Sequence, residues 1–543
     1  MKQKWWKEAV VYQVYTRSFK DSNGDGIGDL NGLREKLDYL QDLGIDVIWL
    51  CPMYKSPNID NGYDISDYQK IMEEMGTMQD FDRLLEDMHS RGMKMVLDLV
   101  LNHTSDEHPW FIESRSSRDN PKRNWYVWRD EPTNWESIFS GPAWTFDEKT
   151  RQYYLHLYAE KQPDLEWENP EVRKELYRMV NWWLQKGIDG FRLDAISHIK
   201  KDYTDMPNPT NAPYVPAWEK MTDVEGIQDL LAELYDETFS NYDIMTVGEA
   251  NGVTVEEIDE WISEENGKMD MVFQFETWYL RKPNEDCGVN LAALKQILTN
   301  WQKEAEGIGW NALYVENHDR SRIVSTWGDD QNYWRESATS IACMYFLMQG
   351  TPFIYQGQEL GMTNAPFEGI DLYDDIKTLN FYRYKRAEGM PLEEIMKTIQ
   401  MSSRDHARTP MQWNSGRYSG FSETEPWIQV NPNYVWLNAE AQQQDPLSVF
   451  HFYKKMISLR KGSTVLIYGI YNLYETGNPC IYAYTRENEE EKLLILANMK
   501  GEFCRWKVPE GAELLLGNYS AEDREKVHPF EARVYRLAKL NHA

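Results

Sequence analysis

The chain is poor in several things that would each have pointed elsewhere. Its five cysteines (Cys51, Cys287, Cys343, Cys480 and Cys504) are scattered and odd in number, and never fall as C-x-x-C. That excludes a disulfide frame or a cysteine-held zinc, and it predicts a reducing compartment, the cytoplasm. No run approaches the roughly 18 apolar residues of a membrane span. The first ten residues, MKQKWWKEAV, are basic but lack the apolar stretch and cleavage site of a secretory signal. No glycine-rich phosphate fingerprint opens any predicted helix, which disfavours a dinucleotide-binding domain. Positive charge is also in the minority: 58 Lys and Arg against 88 Asp and Glu give a formal charge of −30. Such a chain repels phosphate backbones and anionic membranes, so neither nucleic acid nor membrane is an expected partner. No internal repeat or low-complexity tract is present, and no feature calls for an obligate protein partner.

What the chain has in quantity is aromatic: 33 Tyr and 22 Trp in 543 residues, which suits either a large core or stacking on sugar faces. Eight apolar runs of strand length recur: Val10–Thr16, Val47–Pro52, Met93–Val100, Ile188–Ile196, Ile244–Glu249, Met271–Phe275, Asn311–Asp319 and Thr351–Glu359. Amphipathic stretches such as Leu30–Leu43, Asp80–Arg91, Pro170–Lys186 and Glu225–Asn241 lie between them. Near-continuous apolar strands alternating with helices predict an α/β fold, and eight such units fit a closed TIM (β/α)8 barrel better than an open sheet.

Two stretches are too long for barrel connections. The Trp-rich segment after strand three, residues 105–172, is expected to be an inserted, loop-rich subdomain over the strand ends. A second excursion follows strand eight, from Ala365 to about Trp436, with a helix expected at Pro391–Met401. Short strands at Cys480–Thr485, Lys492–Met499, Phe503–Val508 and Arg533–Leu537 predict a C-terminal all-β sandwich. The expected division is therefore barrel 1–104, insert 105–172, barrel 173–462 and β domain 463–543.

Charged residues at the C-terminal ends of barrel strands read as catalytic. Strand four ends in Arg192 and Asp194, strand five in Glu249 and strand seven in Asn317-His-Asp319. An isolated R-x-D is more often a structural ion pair. Three carboxylates at matching strand ends are harder to explain that way. Together they suit glycoside cleavage, in which one acid protonates the leaving oxygen and a second carboxylate attacks or directs water. On this reading Arg192 keeps Asp194 ionised and Glu249 carries the proton. A metal site at His103 and His108 is disfavoured, since HTSDEH lacks the H-E-x-x-H register. The stretch Asp21-Ser-Asn-Gly-Asp-Gly-Ile-Gly-Asp29 has oxygen ligands at alternate positions, as in a Ca²⁺ or Mg²⁺ loop. Position twelve is Gly32 rather than Glu, so a complete EF-hand is excluded. One structural cation held by Asp21, Asn23, Asp25, Asp29 and the Ile27 carbonyl is expected, against an Asx-turn-rich loop without metal. No organic cofactor is expected.

Four motifs in order, DLVLNH (98–103), GFRLD (190–194), VGEA (247–250) and NHD (317–319), resemble those of the α-amylase family of glycoside hydrolases. QPDL (162–165) and SRDHARTPMQW (403–413) narrow the resemblance to its oligo-1,6-glucosidase/α-glucosidase subgroup. The resemblance implies a retaining, exo-acting α-glucosidase on short gluco-oligosaccharides, with Asp194 as nucleophile, Glu249 as acid/base and Asp319 as transition-state stabiliser. It further implies that His103 and His318 bind glucose hydroxyls, that Tyr63 stacks on the ring, and that Asp60, paired with Arg408, closes the non-reducing end. Ala195 stands where α-1,6-specific members usually carry Val, which implies a wider acceptor side and some α-1,4 activity. A sucrose isomerase, a trehalulose synthase and a trehalose-6-phosphate hydrolase share the same catalytic set. The isomerases carry an Arg/Asp-rich loop after strand seven, and Arg320–Asp330 here is closer to the hydrolases.

Overall fold

The computed structural model describes residues 2–280, 288–474, 477–520 and 522–538, so Cys287 lies outside it. Eight parallel strands are present where eight apolar runs were predicted. They are β1 Val11–Val14, β2 Val47–Leu50, β3 Lys94–Val100, β4 Gly190–Asp194, β5 Met245–Glu249, β6 Met271–Phe273, β7 Ala312–Leu313 and β8 Thr351–Tyr355. The hydrogen-bonded order is β6-β5-β4-β3-β2-β1-β8-β7. The two end strands meet through side chains: Tyr314 Oη donates to the Gln274 carbonyl at 2.6 Å, and the Phe273 and Tyr314 rings lie 4.8 Å apart. Inward residues Val11, Val47, Trp49, Val96, Val247, Met271, Phe273 and Phe353 pack into one buried cluster, so the barrel is filled rather than hollow. Gly190 is required where β4 starts, because a Cβ there would sit 2.0 Å from the Met245 carbonyl oxygen.

Covering helices follow their local chemistry. Met78–Ser90 starts at a reciprocal capping box between Thr77 and Asp80. Pro170–Gln185 starts with Asn169 as cap and proline in its first turn, and it buries Val172, Leu176, Val180 and Trp183 against the barrel.

The insert is more regular than its composition predicts. It carries a three-stranded antiparallel sheet of Trp128–Arg129, Trp144–Asp147 and Gln152–Leu155, with the last strand central. Its return segment is bound to the end of β3: the Leu165 amide donates to the Asn102 carbonyl, and the Trp167 indole donates to the Leu101 carbonyl at 2.8 Å. Beneath this seam Lys201 and Asp164, both fully buried, form an ion pair at 2.8 Å, and Lys201 also donates to Asn102 Oδ1 at 2.7 Å.

After β8 the excursion forms helices Ile376–Ala387 and Leu392–Ser402 and the single turn Asp405–Arg408. The C-terminal domain is the expected sandwich. Its five-stranded antiparallel sheet buries Tyr482, Tyr484, Leu493, Ile495 and Val534 in the main core with residues of helix Trp334–Phe346. The alternate residues Ile481, Ala483, Leu494 and Leu496 face Trp506 and Val527, beside the small sheet of Cys504–Arg505 and Lys526–Val527. Arg486, fully buried, donates to the carbonyls of Leu347, Leu466 and Gly469 and so binds this domain to the barrel.

Removing one partner of a buried ion pair strands the other. Lys201→Met is expected to cost about 3–5 kcal/mol in a denaturant titration, and Lys201→Met with Asp164→Leu to recover part of that loss. An equal or larger loss in the double variant would contradict the role given to the pair.

Candidate active site

Parallel register assembles the site. Arg192 on β4 lies level with Asp98 on β3 and Val247 on β5, and Asp194 lies level with Val100. Side chains from adjacent parallel strands therefore meet at one height, just inside the C-terminal mouth. Arg192 Nη1 donates to Asp98 Oδ1 and to Asp194 Oδ1, both at 2.7 Å, and Nη2 lies 2.6 Å from Glu249 Oε2. Asp98 is further held by the Trp49 indole and the Tyr63 hydroxyl, both at 3.0 Å. Burial, opposed by Arg192, pushes Asp98 up to about 6. Burial likewise lifts Asp194 above the usual carboxylate range; Arg192 opposes the rise, and the neighbouring charges of Glu249 and Asp98 add to it. Arg192 thus favours the charged form of Asp194, as expected, while burial and the neighbouring carboxylates act against it.

Ala195 follows in the left-handed region at φ 47°, and its amide donates to Glu249 Oε2 at 3.0 Å. This residue was expected to shape the acceptor side. It is only 1% exposed, and its backbone contributes a donor to Glu249.

Asp319 is treated differently. Burial disfavours its charge, but the guanidinium groups of Arg404 and Arg408 oppose burial and help hold it well below the usual carboxylate range. Arg404 Nη1 and Arg408 Nη2 each lie 3.0 Å from Asp319 Oδ1. His318 stacks on Tyr63 with centroids 5.1 Å apart, and its Nδ1 accepts from Gln13 Nε2 at 2.8 Å. Desolvation lowers it to about 3, so the ring is neutral with its proton on Nε2, 3.3 Å from Asp319 Oδ2. His103, lowered to about 4 by burial, meets Gln162, whose amide also donates to Asp60 Oδ2 at 3.0 Å.

The predicted Asp60–Arg408 pair is also corrected. Asp60 Oδ1 pairs with Arg404 at 2.9 Å, while Arg408, one turn further on, reaches Asp319 and donates to the His318 carbonyl at 3.1 Å. Arg404 bridges Asp60, Asp319 and Asp375 together. Asp60, Tyr63, His103, Asp194, Glu249 and Asp319 line one cavity of about 580 Å³ including its open mouth; Arg192, His318 and Arg408 stand behind its wall. Asp98, Gln162, Arg404 and Lys377 were not singled out beforehand. Gln162 and Arg404 do lie inside the quoted motifs, and Asp98 opens one.

The Asp21–Asp29 loop lies elsewhere. Gly24 and Gly26, both at positive φ, wrap it around Asp21, whose carboxylate accepts from the amides of Asn23, Gly24 and Gly26 and from Ser422 Oγ. Asp29 accepts from Ser22 and from the Gly32 amide. In kind, an all-oxygen donor set fits a hard cation. Among the described residues, however, no three His, Cys, Asp or Glu side chains converge as a metal-ligand group.

The alpha-amylase catalytic-domain model matches residues 13–469. The chain belongs to the alpha-amylase family. A probable oligo-1,6-glucosidase of Bacillus subtilis is 56% identical over 98% of this chain and all of that protein. Among solved structures, the trehalose-6-phosphate hydrolase of Bacillus licheniformis superposes with TM-score 0.90 at 45% identity, covering 99% of this chain and 100% of that one. An isomaltulose synthase from Klebsiella sp. LX3 gives TM-score 0.94 at 40% identity with the same coverage. No helix among the described residues is long and apolar enough to cross a membrane.

Asp319→Asn removes the charge that Arg404 and Arg408 face and leaves two buried guanidinium groups short of a partner. We expect kcat/KM to fall at least a thousandfold while circular dichroism stays native. Activity above about a hundredth of wild type would contradict the placement of Asp319.

Proposed function

We propose that the protein is a retaining, exo-acting α-glucosidase of the oligo-1,6-glucosidase type, releasing the non-reducing terminal glucose of short α-gluco-oligosaccharides. The observation that carries this reading is the cavity's closed end: Asp60, Arg404, Gln162 and His103 interlock beyond the three carboxylates and leave no exit for a longer chain. The full-length relative named as a probable oligo-1,6-glucosidase supports the linkage.

In this mechanism Asp194 attacks the anomeric carbon while Glu249 gives its proton to the glycosidic oxygen. The leaving sugar departs as an alcohol, and a glucosyl ester of Asp194 remains. Glu249 then takes a proton from water, which attacks the same carbon and restores Asp194. A shared guanidinium suits the short carboxyl spacing of retaining enzymes, about 5–5.5 Å, better than the about 6.5–9.5 Å of inverting ones. Positive charge developing on the sugar then favours the Asp194 anion, while Asp319, ionised throughout, stabilises the oxocarbenium-like state. Neutral His318 and His103 suit hydrogen bonding to hydroxyls, and Tyr63 offers a ring to stack.

Isomerising and trehalose-phosphate-cleaving relatives are built on the same fold, so substrate kinetics carry the distinction. Isomaltose is expected to be the fastest of a glucose-disaccharide panel, with measurable turnover of at least one α-1,4 substrate. Isomaltulose or trehalulose as the main product from sucrose, or cleavage of trehalose 6-phosphate without cleavage of isomaltose, would overturn the assignment.

The Asp21–Asp29 loop supplies a separate proposal of one Ca²⁺ or Mg²⁺, held by Asp21, Asn23, Asp25, Asp29 and the Ile27 carbonyl. Chelation is expected to lower the melting temperature and added Ca²⁺ to restore it. An unchanged melting curve would assign the loop's order to its Asx turns alone. The free, buried cysteines suit a reducing compartment, and we place the enzyme in the cytoplasm.

A further inference from the structure

The cavity has a gradient of exposure. Its closed end is buried, with Asp60 and Tyr63 each 4% exposed and His103 1%. Lys377, also a lining residue, is exposed and so stands at the mouth. In an exo-acting pocket the terminal glucose fills the buried end, and whatever it is attached to lies at the mouth.

Lys377 also feels the negative charge of Asp375, Asp319 and Asp60 without pairing directly with any of them. The other charged wall residues are all engaged: Asp60 and Asp319 with Arg404, and Asp194 and Glu249 with Arg192. Among the described residues, the Lys377 ammonium makes neither a direct ion pair nor a hydrogen bond. Helix stability does not account for it. Lys377 is the second residue of Ile376–Ala387, where the positive end of the helix dipole disfavours a cation, and the guanidinium of Arg404 is close by. Its backbone is held in place nonetheless. Asp375 accepts from the Lys377 amide at 3.1 Å, and the same carboxylate accepts from Arg404 Nε at 2.9 Å. The lysine is thereby fixed to the carboxylate that anchors the closed end of the pocket.

We infer that Lys377 is a specificity-determining residue on the leaving-group side, donating its ammonium hydrogens to hydroxyls of the sugar that departs. This rests on the exo-acting reading above. An ammonium offers three donors and no acceptor, so it favours leaving groups that present hydroxyl oxygens over bare aryl or alkyl ones.

The test compares wild type with Lys377→Met and Lys377→Gln on two substrates. One is the disaccharide the wild type cleaves fastest, and the other is phenyl α-glucoside, whose leaving group has no hydroxyl beyond the scissile oxygen. For Lys377→Met, kcat/KM on the disaccharide is expected to fall about tenfold, mainly through KM, as befits one lost charge-assisted hydrogen bond. The loss on phenyl α-glucoside is expected to be at least threefold smaller, and Lys377→Gln, which still donates, to recover part of the disaccharide loss. Equal losses on both substrates would assign Lys377 a structural role, and no loss on the disaccharide would remove it from the site; either result overturns the inference. Because the disaccharide is chosen by wild-type activity, a wrong linkage assignment leaves this comparison intact.

Discussion

The site depends on a single arginine facing more negative charge than it can neutralise. Arg192 meets Asp98, Asp194 and Glu249 at 2.6–2.7 Å, in surroundings where it is itself only 1% exposed. Burying such a group is tolerable only with its partners in place, and three strands must be in register for them to be there. The cluster thus couples folding to chemistry. The register that satisfies the guanidinium also sets Asp194 and Glu249, the proposed nucleophile and acid, side by side. Asp319 shows the opposite balance, one carboxylate facing two arginines, and is held ionised. Neighbouring aspartates thereby acquire different protonation behaviour from the number of cations each one faces.

The remainder of the architecture closes this cluster off. The insert after β3 brings Gln162 to Asp60 and His103, and the excursion after β8 brings Arg404 to Asp60 and Asp319. Two segments far apart in sequence therefore meet over the mouth and convert an open barrel end into a blind pocket. Lys201 is the counterpart beneath the insert. Its ammonium lies between Asp164 and Asn102, fixing the seam from which Gln162 projects.

Much of this was legible in the sequence because apolar strands and the polar residues that end them are local signals. All eight barrel strands fall within the predicted runs, and Asp194 and Glu249 end β4 and β5 as strand-end reasoning puts them, whereas Asp319 follows the short β7 by six residues. What escaped was set by tertiary pairing. Arg404 and Arg408 are four residues apart on one short turn, and sequence offers no means of deciding which of them reaches Asp60. Ala195 was weighed by side-chain volume, and its left-handed backbone and the amide it offers Glu249 were not foreseen. Helix Ile376–Ala387 was missed for a physical reason: Thr378 is its one buried residue, so it carries no apolar stripe. Lys377, on that helix, was hidden for the same reason.

The central claim is that Asp194 and Glu249, yoked to one arginine, perform two inversions at the same carbon. Proton NMR of the first glucose released from isomaltose, recorded before mutarotation, tests this directly. The account predicts α-glucose as the initial product, equilibrating only later with the β anomer. Initial release of β-glucose would mean a single displacement by water and would contradict the role given to Asp194.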